Sequence, residues 1–145
     1  MKLVLQRVKR ASVTIDEELY SQIDKGILIL IGVEKGDTRE DVLKYAQKVS
    51  KLRIFADEND KMNFSILDVK GEILVVSQFT LAGDCKKGTR PSFDKSAPPK
   101  EANALYELFV QELRAIGISV KTGVFAAMMD VELVNDGPVT FILGW

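Results

Sequence analysis

The run Gly26-Ile27-Leu28-Ile29-Leu30-Ile31-Gly32-Val33 constrains the fold more than any other segment. A continuous apolar stretch this rich in β-branched residues reads as a strand buried on both faces. Its aliphatic part, Ile27 to Ile31, is far too short to span a bilayer. The surrounding chain has 145 residues, 46% hydrophobic and 28% charged, which is the balance of a globular protein. That length suits one domain, 1–145. It buries roughly two-thirds of its unfolded surface, so folding requires neither a disulfide nor a metal.

Two absences restrict the chemistry. There is no histidine, which excludes a Ser-His-Asp or Cys-His site within the chain and any His-ligated metal. The single cysteine, Cys85, excludes an intrachain disulfide and every multi-cysteine zinc site. One free thiol and no signal peptide point to a reducing cytoplasm. An enzyme built from this chain works with hydroxyls, carboxylates, amines, backbone amides or groups of the substrate. The net charge of −1 hides an uneven distribution. Residues 1–10 carry +4, residues 84–100 carry +3, and the remainder −8. A basic stretch on an otherwise acidic chain can hold a phosphate backbone, or can simply be a solvated loop.

Residues 3–8 and 11–15 alternate as strands, Asp16-Glu17-Glu18 is a polar turn, and 19–24 read as a further short strand. Asp37 with Glu40 resembles a capping box. Val42, Tyr45, Ala46, Val49 and Leu52 then recur at helical spacing, predicting a helix that stops near Arg53. Asp57-Glu58-Asn59-Asp60 is a turn whose spacing does not fit an EF-hand loop. Lys70-Gly71-Glu72 separates Ile66–Val69 from Ile73–Ser77, which predicts a hairpin with a deeply buried second strand. A long loop over 82–98 contains Pro91, Pro98 and most of the basic cluster. A second helix is expected from Lys100 to Ile116, ending at Gly117. Strands follow near 118–122, 128–134 and 139–143, with Asn135-Asp136-Gly137-Pro138 between the last two. The short links favour largely antiparallel pairing in a mixed α and β fold.

Two segments could carry chemistry. Ser77-Gln78-Phe79-Thr80 leaves a buried strand for a loop, where side chains and unpaired N–H groups can face a ligand. Ser77 and Thr80 are hydroxyls without an adjacent base. Two readings stand: the amides near Phe79 and Thr80 form an oxyanion hole, or the hydroxyls satisfy turn hydrogen bonds. Asn135-Asp136-Gly137-Pro138-Val139-Thr140 is a turn before an edge strand, or, with a cis Gly137–Pro138 bond, a rigid carbonyl probe of stereochemistry. The sequence does not fix that isomer.

Taken together, the chain resembles the D-aminoacyl-tRNA deacylase (D-tyrosyl-tRNA deacylase) family along nearly its whole length. The resemblance is carried by Gln6-Arg7-Val8, Lys61-Met62-Asn63, Ser77-Gln78-Phe79-Thr80-Leu81, Gly88-Thr89-Arg90-Pro91-Ser92-Phe93, Gly123-Val124-Phe125 and Asn135-Asp136-Gly137-Pro138-Val139-Thr140. It implies a mixed α and β single domain with two main helices and antiparallel or mixed sheets in a three-layer β/β/α arrangement. It implies hydrolysis of the ester of D-aminoacyl-tRNA, and of glycine mischarged on tRNA, without a cofactor or metal. It also implies a homodimer with active sites at the interface. There a cis Gly137-Pro138 motif reaches into the partner's site and excludes L-residues. Arg7 matches the residue that steadies this motif, and Asn135 belongs to it. Phe79 and Thr80, with Gln78 and Ser77, match the groups around the scissile carbonyl. Met129 and Phe125 match the pocket wall. The implied chemistry is substrate-assisted, through the ribose 2′-hydroxyl. Alternatives are Thr80 as a covalent nucleophile, or a tRNA-binding module without catalysis. Members commonly have Gly-Ala where this chain has Ala126-Ala127, and Phe141–Trp145 receives no role.

Overall fold

One long strand organises the molecule. In the computed structural model, which describes residues 1–144, β1 (Lys2–Ile15) runs unbroken through both segments expected over 3–8 and 11–15. Its first half pairs antiparallel with β3 (Gly26–Gly32), from Lys2 opposite Gly32 to Val8 opposite Gly26. Its second half pairs antiparallel with β2 (Glu18–Ile23) across the turn at Asp16 and Glu17. The last strand, β8 (Asp130–Leu143), follows β1 almost from end to end. The sequence pattern predicts two strands there with a turn over 135–138. The structure has one strand that bulges at that point, because β1 supplies a continuous edge on both sides of it.

The rest of the sheet is parallel. β6 (Glu72–Ser77) lies alongside β3, and β7 (Ser119–Thr122) alongside β6. Antiparallel pairing therefore holds for β1 and its neighbours but not beyond β3. The two remaining links contain helices, α1 (Arg39–Lys51) and α2 (Pro99–Ile116), and a crossover of that length permits parallel strands. The hairpin expected between 66–69 and 73–77 is absent, because both edges of β6 are taken by β3 and β7. Residues 65–70 instead form turns closed by Ser65 and Asp68, each accepting from the other's N–H, at 3.2 and 2.8 Å. A small separate ribbon pairs β4 (Phe55–Ala56) with β5 (Met62–Phe64). Between them the Asp57 carboxylate accepts the N–H groups of Asn59 and Lys61 at 2.8 and 3.0 Å, which makes it a turn-former.

The first helix starts one residue later than Asp37 and Glu40 suggest. Thr38 is the N-cap, and Asp41 closes the capping box. Asp37 is committed elsewhere: one carboxylate oxygen takes the Met1 ammonium at 2.6 Å and the other the Glu34 N–H at 2.6 Å. The second helix matches its pattern and ends at Gly117, whose φ of +107° provides the left-handed cap.

Alternation along β3 and β6 sends side chains to two cores. Ile27, Ile29, Ile31, Ile73 and Val75 meet Val49 of α1 and Phe109 of α2. Leu28, Leu74 and Val76 point the other way, onto Val8, Val13 and Ile23, with Met129 and Val131 packed beside them. The layers are therefore helices, sheet, and the curled outer part of β1, β2 and β8. Among the described residues no helix is long and apolar enough to cross a membrane.

Gly26 sets the spacing of the first strands. A Cβ there would lie 1.7 Å from the backbone carbonyl oxygen of Glu72. The Gly26→Ala variant is therefore expected to unfold with at least about 2 kcal/mol less stability, since β3 and β6 must separate. Urea denaturation measures this, and an unchanged midpoint would contradict the close approach.

Candidate active site

Where β6 ends at Ser77, the chain turns into a 3-10 turn, Phe79–Ala82. A cavity of about 740 Å³ opens beside this junction, a size typical of small-ligand sites. Ser77, Gln78 and Phe79 form one wall, and Phe125, Ala126 and Met129 another. The long basic loop closes the mouth through Phe93 and Ser96. Phe79 is 54% exposed and meets the Phe93 ring edge-on, with centroids 5.1 Å apart.

The junction leaves donors free. Gln78 N–H donates to the Ile31 carbonyl at 2.8 Å, and Leu81 N–H to the Gln78 carbonyl at 3.2 Å. Between them, Phe79 and Thr80 are the first residues of a helical turn, whose N–H groups have no carbonyl behind them. Neither finds a backbone acceptor among the described residues. The Thr80 hydroxyl accepts a hydrogen bond from the side-chain amide of Gln78. No base adjoins Thr80 in the sequence, and Ser77 stands half-buried at the strand end.

The far wall is fastened to β6. The Val75 carbonyl accepts both the Gly123 N–H at 3.1 Å and the Tyr106 hydroxyl at 3.2 Å. Burial pushes the Tyr106 phenol up to about 12, so it remains a donor at neutral pH. Its ring lies 6.1 Å from that of Phe125. The Met129 sulfur accepts the Val124 N–H at 3.4 Å. A Cβ at Gly123 would stand 2.6 Å from that sulfur, so a larger residue there would push the Met129 side chain aside. Tyr106 counts only as core in the helical stripe, and nothing in its spacing signals this second duty.

The second motif lies apart from the cavity. Gln6 is opposite Thr140 and Val8 opposite Asn135. One residue of β1, Arg7, thus faces four of β8, Asp136 to Val139, which are thrown out as a bulge. Arg7 sits beneath it. Its Nε donates to the Asp136 carbonyl at 3.1 Å, and its Nη1 to the Ile54 carbonyl at 2.7 Å. Gly137 and Pro138 are exposed, joined by a cis peptide bond, and Gly137 has φ +130°. Asn135 accepts from the Gln6 side chain at 3.5 Å. None of these residues lines the cavity. Arg7 is opposite Ile27 and Ser77 is aligned with Ile31, so the motifs stand about 13 Å apart along the strands. Three strand spacings, from β8 through β1 and β3 to β6, add about 14 Å across them.

The basic N-terminal stretch is partly consumed by internal contacts. The Met1 ammonium meets Glu34 and Asp37 at 2.9 and 2.6 Å, and Lys2 meets Glu34 at 3.7 Å. With Arg7 turned inward, Lys9 and Arg10 remain as its exposed cations. The basic loop, by contrast, borders the cavity.

Comparison with known proteins is decisive for kinship. The family model described as D-Tyr-tRNA(Tyr) deacylase matches residues 4–144. The chain belongs to that family. Among its relatives, a D-aminoacyl-tRNA deacylase of Thermodesulfovibrio yellowstonii is 60% identical over 99% of this chain and 98% of its own. One of Bacillus cytotoxicus is 56% identical over 99% and 98%. A solved structure titled c-Myc DNA Unwinding Element Binding Protein superposes with a TM-score of 0.95 at 41% identity, covering 100% of this chain and 99% of that one. A probable eukaryotic D-amino acid tRNA deacylase, 16% identical with a TM-score of 0.85 over 98% and 97%, shares the fold.

Against the deacylase family pattern, the departure at Ala126 acquires a physical meaning. Ala126 has φ +64°, the left-handed region that glycine enters freely. Ala126→Gly removes that strain while gaining freedom in the unfolded chain. The expected net effect is a stabilisation of up to about 1 kcal/mol. Thermal unfolding measures the difference, and a clearly lower midpoint would contradict it.

Proposed function

We propose that this chain, acting as one unit over 1–145, hydrolyses the ester between a D-amino acid and the 3′-terminal adenosine of tRNA. The products are the free D-amino acid and tRNA with its 3′-hydroxyl restored. Glycine on tRNA is a second substrate, and L-aminoacyl-tRNA is spared. The observation that carries the reading is the cavity at the end of β6, beside the Phe79 and Thr80 amides that find no backbone acceptor among the described residues, in a chain of the deacylase family. Since its substrate is charged tRNA, which feeds translation, the enzyme works in the cytoplasm.

The chemistry follows from what the rim offers. Water adds to the ester carbon, and the carbonyl electrons move to oxygen. The Phe79 and Thr80 N–H groups receive that developing charge. The tetrahedral species then expels the ribose 3′-oxygen, which leaves with a proton. With no histidine in the chain, the 2′-hydroxyl of the terminal ribose assists the water, and the protein supplies position and polarisation. The Gln78 amide holds the Thr80 oxygen, so Thr80 orients and donates rather than attacks. Ser77 lies beside them, while Met129 and Phe125 bound the substrate.

Stereochemistry belongs to the bulge. Gly137 and Pro138 stand exposed on β8, away from the cavity of their own chain. In a homodimer they enter the partner's cavity. Their carbonyls hold the substrate amino group and collide with an L-side chain. A filter that works by collision leaves D-side chains unread and lets glycine through. Arg7, tied to Ile54 and Asp136, fixes the direction in which these carbonyls point, and Asn135 closes the base of the bulge.

Single-turnover hydrolysis of D-Tyr-tRNA and L-Tyr-tRNA by the purified protein tests this directly. The expected result is rapid loss of the D-ester with the L-ester intact. Loss of both would remove the filter from the account, and loss of neither would leave only a tRNA-binding module. For the mechanism, Thr80→Val should keep its rate within about tenfold of the parent, as loss of one hydrogen bond implies. A fall of about 10⁴ or more would make Thr80 the nucleophile. Substrate ending in 2′-deoxyadenosine should react about a hundredfold more slowly, the size of a lost acid–base contribution.

A further inference from the structure

Lys35, which lines the cavity, and Lys95 on the neighbouring loop face each other in a way the sequence conceals. The segment after β3 and the loop before α2 form a short antiparallel ribbon with Glu34 opposite Ser96. It is held by Ala97 N–H to the Val33 carbonyl at 3.1 Å and Lys35 N–H to the Lys95 carbonyl at 2.9 Å. That register sets Lys35 and Lys95 opposite one another, a placement that brings Cβ atoms to about 4.5–5.5 Å and makes like charges destabilising. The nearby acids do little to relieve it. Glu34 and Asp37 are occupied by the Met1 ammonium. Asp94 accepts the Ser92 hydroxyl at 2.8 Å. Lys95 reaches Asp84 only at 3.8 Å and is 62% exposed. Lys35 is exposed and has no ion pair among the described residues. Both Lys35 and Ser96 line the cavity.

We infer that Lys35 and Lys95 form a clamp for a backbone phosphodiester of the RNA strand whose 3′ end enters the cavity. A bridging phosphate replaces their mutual repulsion with two charge-assisted contacts. This rests on the deacylase reading, in which a nucleotide seated with its ester at Phe79 and Thr80 carries its own 5′-phosphate towards the mouth. The clamp adds a register mark. Fixing the last phosphate sets how far the aminoacyl end can reach.

The test compares D-tyrosyl-tRNA with D-tyrosyl-adenosine, which has no phosphate. For the K35Q/K95Q variant, kcat/KM on the tRNA ester should fall about tenfold, and its log–log salt slope should flatten by about one. Hydrolysis of D-tyrosyl-adenosine should stay within twofold of the parent, and Lys51→Gln, at the end of α1, should change neither substrate. An unchanged rate and slope on tRNA would overturn the clamp, as would an equal fall on both substrates, which marks a local structural effect. If the parent protein hydrolyses neither substrate, the deacylase reading fails on its own. Binding of a fluorescent 3′-CCA minihelix then decides the clamp, with weakening of about tenfold supporting it and an unchanged Kd overturning it.

Discussion

The unequal pairing of β1 with β8 is the constraint on which the rest of the structure depends. Every antiparallel partner in the main sheet hydrogen-bonds to β1. On one side of Val8 it serves β3, on the other side β2, and β8 occupies its opposite edge. A strand shared in this way must curl, and the curl makes the second core around Val8, Val13 and Leu28. Where one residue of β1 faces four of β8, the surplus has nowhere to go but outward. The exposed Gly137 and Pro138 are thus a product of sheet geometry. Arg7 is placed to read that surplus from below, because it is the β1 residue that lies opposite the four surplus residues of β8.

The sequence revealed those features whose cause is local. The α2 stripe and Gly117 depend on helical period and a left-handed cap, and both are visible in one dimension. The double-sided burial of β3 follows from its unbroken aliphatic run. What stayed hidden was set by partners far along the chain. Residues 66–69 look like a strand, yet β6 already has two neighbours, which no local pattern announces. Asp37 looks like a cap until the Met1 ammonium, brought close by the β1–β3 pairing, claims its carboxylate. Asn135 to Pro138 looks like a turn because a bulge and a turn share the same residues. Only the register on β1 separates them.

The same division applies to the site. Ser77 to Thr80 could be placed at the end of a buried strand from the sequence alone, and the cavity does open there. Family resemblance, not spacing, brought Met129 and Phe125 into view, and the structure sets both on the wall facing that strand end. The distance between the cavity and the bulge was invisible, since neighbouring strands need not bring their ends together. The resulting arrangement suits a chain without histidine. The amides of Phe79 and Thr80 have their direction set by the strand before them, and Lys35, Ser77, Gln78 and Ser96 add polar side chains to the lining. The facing wall is locked to that strand through the Val75 carbonyl, which Tyr106 and Gly123 share.

The order of synthesis gives the long β1–β8 contact a temporal meaning. β1 leaves the ribosome before β8, whose 14 residues come last among the described strands. Until they emerge, one edge of β1 stands open, with its N–H and C=O groups unpaired and Leu3, Leu5 and Val8 short of a neighbour. Arg7 lacks its Asp136 acceptor over the same interval. A chain released early would therefore carry the cavity-forming strands but neither a sealed sheet nor the bulge. Completion of the sheet and formation of the bulge at Gly137 and Pro138 coincide in one closing step, so unfinished copies present an unpaired edge to quality control.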